Sequence, residues 1–200
     1  GSVTASAAVI GNGDFELAGS GTRWPCTGTA VEPAYGGTVA AGWDPNSTGC
    51  STSDPRYTVK YDLVSGVSGL AQQVSSNVPA GEAGLQRWFK LKPGYRYNLS
   101  FVVNSDVALY VQLRDWGAPF TTLVNKEIKP TGGVWKTVTL TGYAPKAAAE
   151  YVEGGVFFAL RGAGTVRIDS VVAEEVADAT TGVTGRVAAA VPANYFGLHV

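Results

Sequence analysis

The chain has 200 residues, of which 15 are basic and 16 acidic, and only 16% are charged. A formal charge of −1 leaves no basic surplus of the kind nucleic acid requires, and no apolar run reaches the roughly 18 residues of a membrane-spanning helix. With 45% apolar residues the chain can fill one sizeable core, while one His, two Cys and no Met leave little material for a zinc site or a His-based triad.

Gly1-Ser2 reads as a tag remnant, and residues 1–8 as a tail outside the fold. The first patterned segment is Ile10-Gly11-Asn12-Gly13-Asp14-Phe15-Glu16. Residues 18–56 are rich in Gly, Ser, Thr and Pro, which predicts long loops around one short strand near Trp43. From Tyr57 the chain changes character. Short alternating runs occupy 57–64, 69–75, 85–91, 95–103, 107–114, 134–141, 155–161 and 164–172, separated by turn signals such as Lys92-Pro93-Gly94 and Thr131-Gly132-Gly133. Such spacing predicts an all-β sandwich or barrel. In 95–103, Tyr95, Tyr97, Leu99, Phe101 and Val103 point one way and Arg96, Asn98 and Ser100 the other, so one face is core. Residues 144–153 leave room for one short turn. The chain then becomes Ala-, Thr- and Gly-rich, a linker composition assigned to 177–193, before a final apolar run over 194–200 that predicts the start of a following domain. The folded module is therefore expected over 9–176.

Three sets of residues carry chemistry. Cys26 and Cys50 flank the loop region. In an exported all-β protein they would form a disulfide stabilising by about 3 kcal/mol; in a cytosolic one they would be two buried thiols. The acids Asp14 and Glu16 lie on one side of a strand if Phe15 points inward, and Asp169 sits near the end of the last run. First and last strands of a sandwich often lie side by side. Hard oxygen ligands without His or Cys select Ca²⁺. The alternative is a set of ordinary carboxylates, with Asp169 paired to Arg167 or Arg56.

The third set is aromatic. With Leu85, Phe89 and Leu91 in the core, Gln86, Trp88 and Lys90 fall on the far face. With Val107, Leu109, Val111 and Leu113 inward, Tyr110, Gln112 and Arg114 face away. With Val156, Phe158 and Leu160 inward, Phe157 and Arg161 face away. Trp116 and Phe120 stand in the loop after Arg114. Sugars bind such surfaces, stacking a C–H face on a ring while amides and guanidinium groups bond their hydroxyls. The alternative is that these rings pack under loops. No Gly-x-Ser-x-Gly elbow, phosphate loop or His-Glu-x-x-His occurs, and no carboxylate pair stands out as a glycosidase dyad.

Ile10–Glu16, Gly42-Trp43, the run Leu91-Lys92-Pro93-Gly94-Tyr95-Arg96-Tyr97-Asn98-Leu99-Ser100-Phe101, Trp135 in its Val/Thr strand and Val166-Arg167-Ile168-Asp169-Ser170-Val171 resemble, in that order, the carbohydrate-binding modules of the family 4, 9 and 22 type. The resemblance covers residues 9–173. It implies a galactose-binding-like β-jelly roll of two antiparallel sheets. It implies a structural calcium held by Asp14, Glu16 and Asp169, with a backbone carbonyl near Asp54 to Arg56. It further implies a polysaccharide-binding cleft on the concave sheet around Trp88, Tyr110, Trp116, Phe120 and the Gly155–Arg161 strand. Gly155 and Ala159 depart from the pattern, standing where polyglucan-binding relatives place glutamines. The tail Asn194–Val200 resembles the opening strand of a (β/α)₈-barrel glycoside hydrolase such as those of family 39. The expected protein is thus a secreted, non-catalytic module that brings a glycoside hydrolase to a polysaccharide. The alternative is an accessory jelly roll that packs on the barrel and binds no sugar.

Overall fold

The structure, a computed structural model, describes residues 6–19, 34–47, 58–77, 83–115, 122–144 and 148–177. Within them the chain forms twelve strands and no helix: β1 (Ser6–Ala8), β2 (Ala34–Gly37), β3 (Asp44–Ser47), β4 (Thr58–Ser65), β5 (Leu70–Ser76), β6 (Ala83–Leu91), β7 (Arg96–Ser105), β8 (Leu109–Asp115), β9 (Thr122–Ile128), β10 (Lys136–Tyr143), β11 (Val152–Leu160) and β12 (Gly164–Val176). Each alternating run of the sequence is a strand.

The strands form two sheets. One has seven strands in the order β10-β7-β12-β5-β4-β2, with β1 also on β12; the other has five, β3-β6-β11-β8-β9. All pairings are antiparallel except β2 with β4, which is parallel. The fold is an all-β sandwich. β1 shows that the sheet begins at Ser6, inside the expected tail, where Ser6 pairs with Val176. β2 lies where loop was expected, and β9 in a stretch to which no strand was assigned.

Period-two alternation builds the core. Along β7 the burial of Tyr97, Leu99, Phe101 and Val103 alternates with half-exposed Arg96, Asn98, Ser100 and Val102. Facing residues come from β6 (Leu85, Leu91), β8 (Leu109, Val111, Leu113) and β11 (Val156, Phe158, Leu160), all buried. Rings cross the core from sheet to sheet: Phe101 meets Phe158 edge-on at 5.1 Å, Trp43 lies 6.2 Å from Phe158, and Phe15 lies 5.0 Å from Trp43. Each such buried ring stabilises by roughly 1.5–3 kcal/mol.

Several polar groups inside the sandwich are bonded. Gln72, fully buried on β5, accepts the Ala40 amide at 2.8 Å and donates to the Thr38 and Asp62 carbonyls at 3.1 Å each. The Tyr61 hydroxyl donates to the Gly84 carbonyl at 2.6 Å. At the far end the Tyr97 hydroxyl accepts the Lys92 amide (2.6 Å) and donates to Glu175 (2.8 Å), which also pairs with Lys92 at 3.4 Å.

Candidate functional site

Two regions gather the residues singled out above. The first is the junction of the opening segment with the last strand. Asn12 and Phe15 both have positive φ (51° and 59°), so the segment coils rather than extending. The Asn12 side chain fixes the coil: its Oδ1 accepts the Leu17 amide at 3.0 Å and its Nδ2 donates to the Ala41 carbonyl at 2.9 Å. The Trp43 indole donates to the Asn12 carbonyl at 2.9 Å, joining two segments 31 residues apart. Val171 donates its amide to the Gly13 carbonyl at 2.7 Å. A Cβ on Gly13 would fall 1.8 Å from the Val171 oxygen, so only glycine permits this approach.

Beside that contact β12 bulges between Asp169 and Val172, with Ser170 at φ 53°. Asp169 is fully buried. Its Oδ2 accepts the Val67 amide at 2.8 Å and lies 3.4 Å from the Ser68 amide; its Oδ1 accepts the Ser170 hydroxyl at 3.2 Å. Glu16 accepts the Leu70 amide at 2.7 Å. Both acids therefore grip the turn that joins β4 to β5. Asp169 does not pair with Arg167, whose Nε donates to Gln73 at 2.8 Å. Asp14 is exposed, and among the described residues no three His, Cys, Asp or Glu side chains converge on one point. Arg56 and the Asp54–Arg56 carbonyls lie outside the described residues, as do Cys26, Cys50, the following-domain residues 194–200 and the linker beyond Ala177.

The second region is the outer face of the five-stranded sheet. Directly opposed residues of paired strands share a face. A row therefore crosses all five strands: Asp44 on β3, Gln86 on β6, Phe157 on β11, Gln112 on β8 and Asn125 on β9. One flanking row carries Trp88, Gly155 and Arg114; the other carries Ala159, Tyr110 and Glu127. The predicted Gln86, Trp88, Tyr110, Gln112, Arg114 and Phe157 thus share one face, with Arg161 at the end of β11 beside it. Trp116 and Phe120 lie outside the described residues.

Phe157 forms the floor. It points away from the core, as alternation requires, yet it is only 4% exposed. The Trp88 ring meets it edge-on at 6.1 Å, and the Arg114 guanidinium lies 4.1 Å from its centre. In the next row the Arg161 guanidinium lies 4.4 Å from the Tyr110 ring. Gly155 lowers the floor between Trp88 and Arg114; a Cβ there would lie 2.6 Å from the Arg87 carbonyl oxygen. The face thus carries aromatic rings, amides along its middle row and guanidinium groups over two of the rings.

Asp44, Asn125 and Glu127 belong to the face and were not singled out in the sequence. Their strands are edges whose membership depends on pairing across long loops. Arg87 was also missed: alternation aims it at the core side of β6, where it donates to the Gly42 carbonyl next to Trp43.

No family model matches the chain and no curated protein matches it. Solved structures do. A family 4 carbohydrate-binding module matches over 83% of this chain and 99% of its own, with a TM-score of 0.55 and 20% identity. The Stig cyclase Fisc from Fischerella sp. TAU, bound to (3Z)-3-(1-methyl-2-pyrrolidinylidene)-3H-indole, matches over 86% and 98%, with a TM-score of 0.59 and 18% identity. The arabinose-bound α-L-arabinofuranosidase MgGH51 matches over 84% of this chain but 26% of its own, with a TM-score of 0.54 and 16% identity. The chain has the jelly-roll fold of carbohydrate-binding modules. Because that fold also carries a cyclase, function rests on the site and not on the architecture.

Proposed function

We infer that this chain is a carbohydrate-binding module, non-catalytic by itself, which holds a polysaccharide across the outer face of its five-stranded sheet. The row Asp44–Gln86–Phe157–Gln112–Asn125 carries the reading: hydrogen-bonding groups flank an aromatic floor at the strand spacing of about 4.8 Å. Amides and carboxylates bond sugar hydroxyls, and Trp88 at the wall offers a ring for stacking. Fold likeness to a family 4 module supports the same ligand class. An open sheet face buries little of each ligand, so single sites bind weakly. Fusion to a secreted glycoside hydrolase would convert weak binding into a high local enzyme concentration.

Affinity electrophoresis through gels containing xylan, β-glucan, arabinan, mannan or an acidic polysaccharide tests this directly. Retardation by at least one, abolished by Phe157→Ala in a protein that still melts cooperatively, is the expected result. Equal mobility in every gel overturns it. The second reading, an accessory domain that binds no sugar, is favoured by the burial of Phe157 and Ala159, and the same gels decide between the two.

Calcium enters as part of the proposal. Asp169 is a fully buried carboxylate whose hydrogen bonds among the described residues come from neutral donors, and Glu16 holds the same turn. Such oxygens suit a hard cation. The three acids Asp14, Glu16 and Asp169 do not converge as a set among the described residues, so Asp169 and Glu16 would contribute side-chain oxygens beside backbone carbonyls, and the ion would clasp the opening segment to the last strand. A melting temperature that rises with millimolar CaCl₂ and falls with EDTA is expected; an unchanged one removes calcium from the account.

A further inference from the structure

Seven asparagines occur in the chain, and Asn12 alone is followed by glycine. That dipeptide has a chemistry of its own. Glycine carries no Cβ, so its amide nitrogen can approach the preceding side-chain amide without hindrance. Attack of the Gly13 nitrogen on the Asn12 Cγ closes a five-membered succinimide. Nδ2 leaves as ammonia, taking up the Gly13 amide proton. Water then opens the ring at either carbonyl, to give aspartate or isoaspartate. Solvent water is the only other reactant.

The fold demands both members of this pair. A Cβ at position 13 would fall 1.8 Å from the Val171 carbonyl oxygen, so no larger residue lets the opening segment meet β12. Asn12 is demanded by its amide. Nδ2 donates to the Leu17 and Ala41 carbonyls at 3.0 and 2.9 Å, and Oδ1 accepts the Leu17 amide at 3.0 Å. Two carbonyls on one side and an N–H on the other fix which end is nitrogen. A carboxylate offers no donor for those carbonyls.

The same bonds oppose the reaction. To close the ring, the Asn12 side chain must turn back onto its own backbone and release all three. Its carbonyl is held as well, by the Trp43 indole at 2.9 Å. Gly13 is buried, away from the water that the second step consumes. In the unfolded chain none of these restraints exists.

We propose that Asn12-Gly13 is a self-modification site, which the folded clasp keeps unreactive and whose reaction releases the opening segment. The aspartate product sets a carboxylate oxygen against the Leu17 and Ala41 carbonyls, with both donated bonds lost. Isoaspartate also lengthens the backbone between residues 12 and 13, where Gly13 has no room beside Val171. An excursion that frees this segment is thereby made permanent. The proposal is independent of the sugar-binding reading.

The test incubates the whole chain in warm, mildly alkaline buffer, with and without urea. Mass spectrometry follows the peptide that contains residue 12. The mass gain of an oxygen-for-nitrogen exchange is expected there, at least about tenfold faster in urea than in the native protein. Peptides carrying Asn77-Val78 and Asn98-Leu99 are expected to react far more slowly in the same urea sample. The refolded product, and independently Asn12→Asp, is expected to melt about 5 °C or more below the unmodified chain. Equal rates with and without urea overturn the protection. A residue 12 that stays intact in urea overturns the site itself. A product that melts with the unmodified chain overturns the release. Should Asn12→Asp fail to fold, the urea comparison on the unaltered chain still decides.

Discussion

The two outer faces of the sandwich obey the same alternation and end in opposite states. On the seven-stranded sheet the outward residues of β10 are Thr137, Thr139, Thr141 and Tyr143, all exposed, and Thr141 bonds Asn98 across the strand pair at 3.1 Å. Small polar groups there satisfy one another and water. On the five-stranded sheet the outward residues of β11 include Phe157 and Ala159, both buried, under Trp88, Arg114 and Tyr110. A sheet face that only needs solvation does not build a second aromatic layer. The cost of placing rings outside the core is exposed apolar surface, and here cations and edge-on stacking offset it. That asymmetry is the observation on which the proposed function rests.

The comparison is broken first at the core that both sheets share. Phe158→Ala removes the ring that contacts Trp43 and Phe101, and about 4 kcal/mol of stability is expected to go with it, read from urea unfolding. Its neighbour Phe157→Ala is expected to cost less than Phe158→Ala while removing sugar retention. Equal destabilisation would mean that the outer layer is merely a second core.

Gln72→Ala strands the Ala40 amide and two carbonyls in the interior. A loss of about 2–3 kcal/mol is expected in the same assay. The face of the five-stranded sheet should keep its affinity, since Gln72 belongs to the other sheet.

Alkaline pH probes the seven-stranded sheet through Tyr97. Burial is the largest cause that holds the Tyr97 hydroxyl neutral well above its ordinary value of 10.0, with the Glu175 carboxylate adding to it against the opposing Lys92 amide. The unfolded chain ionises this tyrosine first, so it binds fewer protons than the native state above that pH. Stability therefore falls as pH rises beyond about 10. Lys92, raised chiefly by the charge of Glu175, acts with the same sign. Tyr97→Phe is expected to flatten the alkaline limb; an unchanged slope would show that other groups set it.

The smallest effect is expected from Thr139→Val on the exposed face. Its stability change should stay within about 0.5 kcal/mol and sugar binding should not move. A loss of binding would transfer function to the seven-stranded sheet.

Much of this was legible beforehand for physical reasons. Strands with one buried side must alternate, so β4 to β8 and β10 to β12 declared themselves, and so did the outward set Gln86, Trp88, Tyr110, Gln112 and Arg114. β9 did not, because an edge strand solvated on most sides mixes Leu123, Val124 and Ile128 with Asn125, Lys126 and Glu127 without a period. β2 did not, because Gly36-Gly37 carries no strand signal. Trp43 could not be placed, since its burial depends on Phe15 and Phe158, far away along the chain.

By itself, then, the amino-acid order determined an all-β sandwich, its inward and outward residues, and an opening segment that meets the closing strand. Alternation is a local property, set by the backbone's two-residue repeat, and needs no partner to be read. Only the tertiary structure decided which of two adjacent glutamines, Gln72 or Gln73, is buried, that Asp169 and Glu16 grip one hairpin turn, and that arginines lie over the outward rings. Those outcomes depend on strand register and on which sheet edge meets which loop, quantities created when distant segments pair.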